Sequence, residues 1–329
     1  MKNILLIATG GTIASRPTSE GLAPGISSGE LAACVPEISA LCRLEAMQLF
    51  NLDSTNMNPK HWLQLTAAIE ARYGDYDGFV VTHGTDTMAY AAATLSYLIQ
   101  NSPKPIVLTG AQRTIYDRDS DARQNLADAV RYAADDRAGG VTLVFDGQVI
   151  TGTRARKMRT KSFNAFSSID FPPLAVLRSG ALHLYIPHRP AGPVRFFHRL
   201  DPSVFVLKLI PGMQADIFDY LANNCHAVII ESFGVGGIPY YDSDEFADKI
   251  ALLVRRGVKV IVTTQVPHEG SDMEVYSVGL RIKKRYELLE AYDMTGESVY
   301  AKTMWALAHS SDEDGFRRLF LTPVYMDIV

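Results

Sequence analysis

Ile4-Leu5-Leu6-Ile7-Ala8-Thr9-Gly10-Gly11-Thr12-Ile13-Ala14 stands at the start of the chain. Five apolar residues in succession match a strand in length and fall short of a buried helix, so they predict a strand covered on both faces. Gly10-Gly11 then permits a sharp turn and lets backbone N–H groups come close to a small ligand. Thr12 carries a hydroxyl into the space the turn opens. A hydroxyl beside unpaired backbone donors is the minimum for acyl transfer: a nucleophile next to an oxyanion site. An ordinary glycine turn between two elements reads the same way, and for so short a match it is the commoner outcome. The rest of the chain has to separate the two.

Working outward, the strand–turn–helix pattern recurs. Residues 44–52 predict a second strand, followed by Asp53-Ser54-Thr55; Asn58 then caps a helix with Pro59 at its first position, running to about Arg72. Residues 77–82 predict a strand, His83-Gly84-Thr85-Asp86-Thr87 a turn, and residues 88–100 a helix. Residues 104–109 predict a strand ending in Gly110-Ala111-Gln112. A helix from about Ser120 to Ala134 and a strand from Gly140 to Phe145 follow. This alternation predicts a parallel sheet with helices on both faces. Ligands bind beyond the carboxyl ends of such strands, where the turns at Thr12, Ser54 and Thr85 all fall. Prolines and glycines recur over 171–203. Strands predicted at 204–210, 227–230 and 258–263, with helical stretches at 216–224 and 244–256, then make a second sheet. Residues 293–308 begin as a loop and become a helix. The expected fold class is α/β: a larger N-terminal doubly wound, mostly parallel sheet domain (1–190), a linker (191–203) and a smaller C-terminal α/β domain (204–329).

The chain has 329 residues, which fits two domains at about 150 residues each. An apolar content of 47% with 21% charged residues is ordinary for a soluble globular protein and does not suggest disorder. A net charge of −4 gives no electrostatic reason to expect nucleic acid. No apolar run approaches the roughly 18 residues of a membrane helix. The N-terminal apolar run flows straight into the glycine turn, so removing it as a signal peptide would delete a strand. We expect a cytoplasmic protein, and Cys34, Cys42 and Cys225 fit a reducing compartment. No CxxC or HExxH appears, and no GxGxxG follows the first strand, so neither a metal nor a cofactor is expected.

Two further patterns are decoys, and a third is a basic cluster. Gly25-Ile26-Ser27-Ser28-Gly29 spells GxSxG without the preceding strand that a nucleophile elbow needs; Ser28 is expected to cap a helix starting near Gly29. Asp117-x-Asp119-x-Asp121 opens like a calcium loop, but Ala122 and Asp128 stand where such a loop requires Gly and Glu. Its acids are expected to cap the next helix and favour its dipole. Arg154, Arg156, Lys157, Arg159 and Lys161 read as one buried lysine with solvated neighbours, and the residues alone do not say which lysine. The Pro-, Gly- and Ser-rich loop after Thr12 reads as a lid.

Taken singly, Ser54 or Thr85 would be a helix cap, Asp86 a first-turn acid and Lys157 a surface charge. Taken together, Thr9-Gly-Gly-Thr12-Ile-Ala, Asp53-Ser54-Thr55 and Thr82-His-Gly-Thr85-Asp86-Thr-Met88, in this order and spacing, resemble the bacterial-type L-asparaginase family. The resemblance covers essentially the full chain, including Gly234 to Pro239 and the Asp293-Met-Thr stretch. The segments around Asn56 and Thr85 are most similar to the cytoplasmic type I branch.

The resemblance implies an amidohydrolase that converts L-asparagine and water to L-aspartate and ammonia through a β-aspartyl ester on Thr12. It implies Thr12, Thr85, Asp86 and Lys157 as catalytic residues; Lys157 is placed by its spacing to Phe163-Asn164-Ala165-Phe166. A neutral, desolvated lysine could accept a proton through Thr85, with Asp86 orienting it. Implied substrate contacts are Gly11, Asp53, Ser54, Thr55, Gly84, Thr85, Asp86, Ala111 and Glu297. Asp86 suits the ammonium, and Ser54, Thr55 and turn N–H groups suit the α-carboxylate. Glu297 would come from a neighbouring subunit, which implies a homodimer or homotetramer with sites near the interface.

One departure stands out. Where many relatives carry a loop tyrosine beside the nucleophile, this chain aligns Leu22, which cannot pass a proton; Tyr276 is a possible replacement without a physical argument for it. Leu22→Ala is expected to keep much of the chemical step. Glu231-Ser232-Phe233 stands where a basic side chain would suit the carboxylate of a regulatory asparagine. The alternatives are a glutaminase-asparaginase of broader specificity, since one methylene is worth only about 1–3 kcal/mol of discrimination, and a non-catalytic asparagine sensor, against which the intact threonines and lysine stand. A third is an amidotransferase component, whose relatives carry an extra N-terminal domain, whereas the glycine turn here begins at residue 9.

Overall fold

The computed structural model describes residues 1–18, 21–24, 27–240, 244–275, 277–286 and 288–329; for 14–18, 21–24, 277–279 and 281–282 the description is of the backbone. The chain forms two compact units, Met1–His198 and Arg199–Val329.

The first unit is built on an eight-stranded sheet. Its strands are β1 (Asn3–Gly10), β2 (Arg43–Leu52), β3 (Gly78–Thr82), β4 (Pro105–Thr109), β5 (Gly140–Phe145), β6 (Gln148–Thr151), β7 (Ala175–Arg178) and β8 (Ala181–Leu184), in the order β8-β7-β6-β5-β4-β3-β1-β2. β1 to β5 are parallel, and β6 to β8 close one side with antiparallel pairings. The parallel part has the order 2-1-3-4-5, the doubly wound arrangement whose ligand crevice lies beyond the carboxyl ends of β1 and β3.

The apolar runs form these strands because both faces are covered. Ile4, Leu6, Val80, Val107 and Val144 join Leu126, Ala129, Val130 and Ala133 of helix α4 (Ala122–Ala133) in one buried cluster. By strand alternation Leu5, Ile7, Phe79 and Val81 face the other side, and all are buried. Each Leu or Ile so buried contributes about 1.5–3 kcal/mol. Helix α3 (Met88–Leu98) is buried at every position except Tyr90, which explains its unbroken apolar sequence.

Helix ends follow local chemistry. α2 (Pro59–Glu70) has Asn58 as its N-cap and Pro59 at its first position, as the sequence predicts. α1 (Ser28–Ala33) is capped one residue earlier than expected: Ser27, not Ser28, accepts from the Glu30 amide, and Glu30 returns the bond to complete a capping box. The reciprocal Ser27–Glu30 spacing selects that serine. The remainder of the GxSxG stretch, Gly25 and Ile26, lies outside the described residues. α4 corrects a second expectation, because Asp121 occupies the N-cap position but makes no capping bond.

β6 to β8 have only four residues each, too short for a periodicity that predicts them. All three cysteines are free, and burial pushes the Cys42 thiol up to about 11.

The second unit is a parallel sheet of β9 (Val204–Lys208), β10 (Ala227–Ser232), β11 (Lys259–Thr264) and β12 (Leu289–Glu290), in that order. Its helices are α5 (Ile217–Asn224), α6 (Glu245–Arg255), α7 (Ser277–Tyr286), α8 (Gly296–His309) and α9 (Glu313–Leu321). α7 and α9 were not read from the sequence. Phe218, Leu221, Phe246, Ile250 and Leu253 close the core over Val228, Ile230, Val260 and Val262. Among the described residues, no helix is long and apolar enough to cross a membrane.

Candidate active site

Three turns meet at the carboxyl ends of β1, β2 and β3, and glycines set how closely. Gly10 and Gly11 have φ of +105° and +83°, and a Cβ on Gly11 would lie 2.4 Å from the Gly84 amide nitrogen. A Cβ on Gly84 would lie 2.5 Å from the Ser54 Oγ. Only glycine permits either approach. The Gly11 amide donates to the Leu52 carbonyl at 3.0 Å, the Thr9 hydroxyl to the Thr82 carbonyl at 2.8 Å, and the Thr87 hydroxyl to the Ser54 carbonyl at 2.8 Å. Thr12 is the next residue, the first of a short 3-10 turn (Thr12–Ala14), and is half-buried. Gly11→Ala combines a backbone clash with a left-handed φ, so it should destabilise this unit by about 2 kcal/mol or more in urea unfolding. An unchanged midpoint would contradict the close packing of the two turns.

The second turn places Ser54 fully inside while its neighbours serve one another. Asp53 caps the short turn Ser54–Asn56, accepting from the Thr55 amide at 2.9 Å and the Thr55 hydroxyl at 3.0 Å. The Thr55 hydroxyl is thus held by Asp53, and Asp53 acts on the turn itself.

The third turn carries Thr85 and Asp86. The Lys157 Nζ donates to the Thr85 Oγ1 at 2.8 Å and pairs with the Asp86 Oδ1 at 2.6 Å. Residues 71 and 72 positions apart are brought together by a hairpin, Ala155–Lys157 against Phe166–Ser168, in which Lys157 faces Phe166. That register explains why the Phe163–Phe166 segment marks this lysine. The lysine side chain is 15% exposed and the Asp86 side chain 60%. The fully buried cation of the basic cluster is a different residue, Arg154, over the Phe171 ring at 5.8 Å; the expected buried lysine is only partly covered because its head must reach the open turn.

The imidazole of His83 is fully buried, and burial holds it down to about 4, so it is neutral at physiological pH. Its Nδ1 lies 2.8 Å from the Gly84 carbonyl, a contact that requires Nδ1 to carry the proton. The turn between β3 and α3 is therefore braced from behind by an uncharged donor.

A fourth turn, after β4, carries the expected Ala111 and a residue the sequence did not single out, Gln112. Ala111 is buried. Gln112 accepts from the Thr85 hydroxyl through Oε1 at 3.2 Å and donates through Nε2 to the Ser162 carbonyl at 3.2 Å. The Asp121 carboxylate, expected as a cap, instead accepts from the Gln112 amide at 2.9 and 3.1 Å, the Arg113 amide at 3.1 Å and the Asn125 side chain at 3.1 Å. Two main-chain donors and an amide satisfy it better than one helix end would. Arg113 also lies over the Phe163 ring at 5.5 Å.

The structure thus brings together the turns bearing Gly11, Thr12, Asp53, Ser54, Thr55, Gly84, Thr85, Asp86 and Lys157, with Ala111 on the turn that carries Gln112. Glu297 belongs to the second unit, where it is buried as the second residue of α8 behind the Thr295 cap. Leu22 lies on the backbone hairpin after Thr12, paired with Pro17, and its side chain is outside the described residues, as is all of Tyr276. Among the described residues, no group of three His, Cys, Asp or Glu side chains could hold a metal ion. Chemically, the first unit offers a threonine hydroxyl at a glycine turn and a second hydroxyl bonded to a lysine–carboxylate pair.

Residues 3–189 match the family described as Asparaginase, N-terminal, and residues 203–320 the Glutaminase/Asparaginase C-terminal domain. An L-asparaginase of Thermococcus kodakarensis is 35% identical over 324 residues, covering 96% of each chain. A glutamyl-tRNA(Gln) amidotransferase component of Pyrococcus furiosus is 34% identical over 337 residues, covering 98% of this chain and 76% of that protein. Among solved structures, the thermostable L-asparaginase from Thermococcus kodakarensis superposes with a TM-score of 0.91 at 32% identity, over 99% of each chain. L-asparaginase I from Vibrio cholerae gives 0.89 at 28% identity, over 100% of this chain and 99% of that one.

Proposed function

The chain belongs to the asparaginase family in both of its units, and from that premise we propose that it hydrolyses the side-chain amide of L-asparagine to L-aspartate and ammonia, with Thr12 as the nucleophile. The observation that carries this reading is the Lys157–Thr85–Asp86 cluster, with contacts of 2.8 and 2.6 Å, on a turn packed against the Gly11–Thr12 turn.

In the first step the Thr12 Oγ forms a bond to the side-chain carbonyl carbon while its proton leaves. The C–N bond then breaks, the departing nitrogen takes up that proton, and ammonia leaves a β-aspartyl ester. A water molecule next attacks the ester carbon. Its proton returns to the Thr12 oxygen, and aspartate is released. A threonine hydroxyl is a weak nucleophile unless a base or strong polarisation assists it. Thr85 and Lys157 supply a route for the proton, and turn amides supply donors for the developing oxyanion. Asp86 and Ser54 hold the substrate ammonium and α-carboxylate, with Thr55, Asp53, Gly84 and Ala111 shaping that end of the site. Such a site needs no cofactor. Glu297 completes the ammonium site from a neighbouring copy in a homodimer or homotetramer acting in the cytoplasm, a part of the reading that rests on the family resemblance.

A second reading follows from the amidotransferase relatives: release of ammonia from glutamine for transfer to a tRNA-linked acceptor. Ammonia release measured side by side on asparagine and glutamine separates the two. The asparaginase reading expects kcat/KM for asparagine to exceed that for glutamine by at least roughly tenfold, the scale of one mispositioned methylene. Equal or reversed values would contradict it. Light scattering on the same sample should show an assembly larger than one chain, and a monomer at full activity would remove Glu297 from the site.

A further inference from the structure

Gln112 is not used by the mechanism above, yet its side chain is fixed at both ends. Nε2 donates to the Ser162 carbonyl at 3.2 Å, on the loop that follows Lys157, so the amide oxygen is the end that faces Thr85. Its main chain is held by the Asp121 carboxylate at 2.9 and 3.1 Å. The turn is tied a second time to the lysine loop by Arg113 over the Phe163 ring.

An amide oxygen is an acceptor only. The Thr85 hydroxyl, 3.2 Å away, must therefore donate to it, and the Thr85 oxygen is left to accept from the Lys157 Nζ at 2.8 Å. The three groups form a directed chain, ammonium to hydroxyl to amide. We propose that Gln112 is a positioning residue that sets the direction of the Thr85 hydroxyl proton and so stabilises the state in which Lys157 carries the proton taken up during the reaction. The proposal rests on the reading of Lys157 and Thr85 as the proton route.

The proton inventory is closed. With Lys157 neutral, its amine lone pair accepts and the Thr85 hydroxyl turns to it. When the nucleophile gives its proton to the Thr85 oxygen, the Thr85 proton passes to Lys157. The proton newly arrived on Thr85 then points at Gln112, the arrangement the structure shows. Without an acceptor at that point, the proton-loaded state loses a hydrogen bond that the unloaded state does not use. With a carboxylate there, the loaded state gains a charge.

Two variants of nearly equal shape test this in the intact protein, read as the pH profile of asparagine hydrolysis. Gln112→Met removes the acceptor. It should lower kcat about five- to tenfold, leave KM within about twofold, and move the acidic limb of kcat/KM down by about 0.5 pH unit. Lys157 already faces the Asp86 carboxylate at 2.6 Å; Gln112→Glu adds a second negative charge, one hydroxyl away from the lysine, and should move the same limb up by about 1 pH unit. Opposite displacements are not what a loosened fold produces. If Gln112→Met does not fold, the upward displacement in Gln112→Glu carries the test alone. Limbs that stay in place in both, or that move in the same direction, overturn the proposal. Lys157→Met in parallel separates the levels: loss of turnover there with unmoved Gln112 limbs sinks only the role of Gln112, whereas wild-type turnover in Lys157→Met sinks the proton route itself.

Discussion

Thr12→Ala should reduce amide hydrolysis by at least roughly 1,000-fold while the protein stays folded. Losing the group that forms the covalent bond removes a reaction step, and such losses in acyl-transfer enzymes reach several orders of magnitude. Stability should barely respond. Thr12 is half-buried at the start of a short 3-10 turn, and that turn is held by Gly11 against Gly84, the Gly11 amide on Leu52, the burial of Ile13 and the Ile115 amide on the Ile13 carbonyl. Removing a hydroxyl and a methyl there is expected to change unfolding free energy by no more than about 0.5–1 kcal/mol. Thr12→Ser should recover a measurable part of the rate. Ammonia release by stopped assay, with circular dichroism as the folding control, measures both. Activity within tenfold of wild type in Thr12→Ala would remove the nucleophile assignment.

Lys157→Met should produce the second largest effect, a fall in kcat of about 100- to 10,000-fold, the range for losing a positioned acid–base group. Its KM should change less, because the proposed partner of the substrate ammonium is Asp86 and not Lys157. The stability effect is small for a reason visible in the structure. The Lys157–Asp86 pair is short, at 2.6 Å, but Asp86 is 60% exposed, and an ion pair open to water is worth about 0–1 kcal/mol. Lys157→Arg should not rescue: a guanidinium is always protonated and cannot take a proton from Thr85. Recovery of wild-type kcat in Lys157→Arg would show that the lysine acts only as a fixed charge.

These two effects fall on residues of different legibility. The strand and turn before Thr12 are readable because a five-residue apolar run followed by Thr9 and two glycines is local information, and the same is true of β3 and β4, whose strands are buried on both faces; the role of Thr12 enters only through the family resemblance. The order 2-1-3-4-5 turns those local readings into one crevice. Lys157 was not readable from charge; it is one of five basic residues within eight positions, and what selects it is its pairing with Phe166 across a hairpin. The cluster's fully buried member, Arg154, gave no sign of its burial in the sequence. The contacts of Gln112 and Asp121 are not legible for a related reason. Gln112 bonds to residues 27 and 50 positions away, and Asp121 turns back nine positions to the Gln112 amide. No periodicity encodes such contacts. The helix-cap rules that placed Asn58 correctly misplaced Asp121, because a carboxylate at a cap position takes the better set of donors when a second loop offers one.

The central claim is the covalent one, and mass spectrometry of acid-quenched enzyme tests it most directly. Enzyme mixed with asparagine and quenched during turnover should carry a β-aspartyl group on the peptide that contains Thr12, absent before mixing and absent from Thr12→Ala. The same group on the peptide that contains Thr85, with the Thr12 peptide unmodified, would contradict the account.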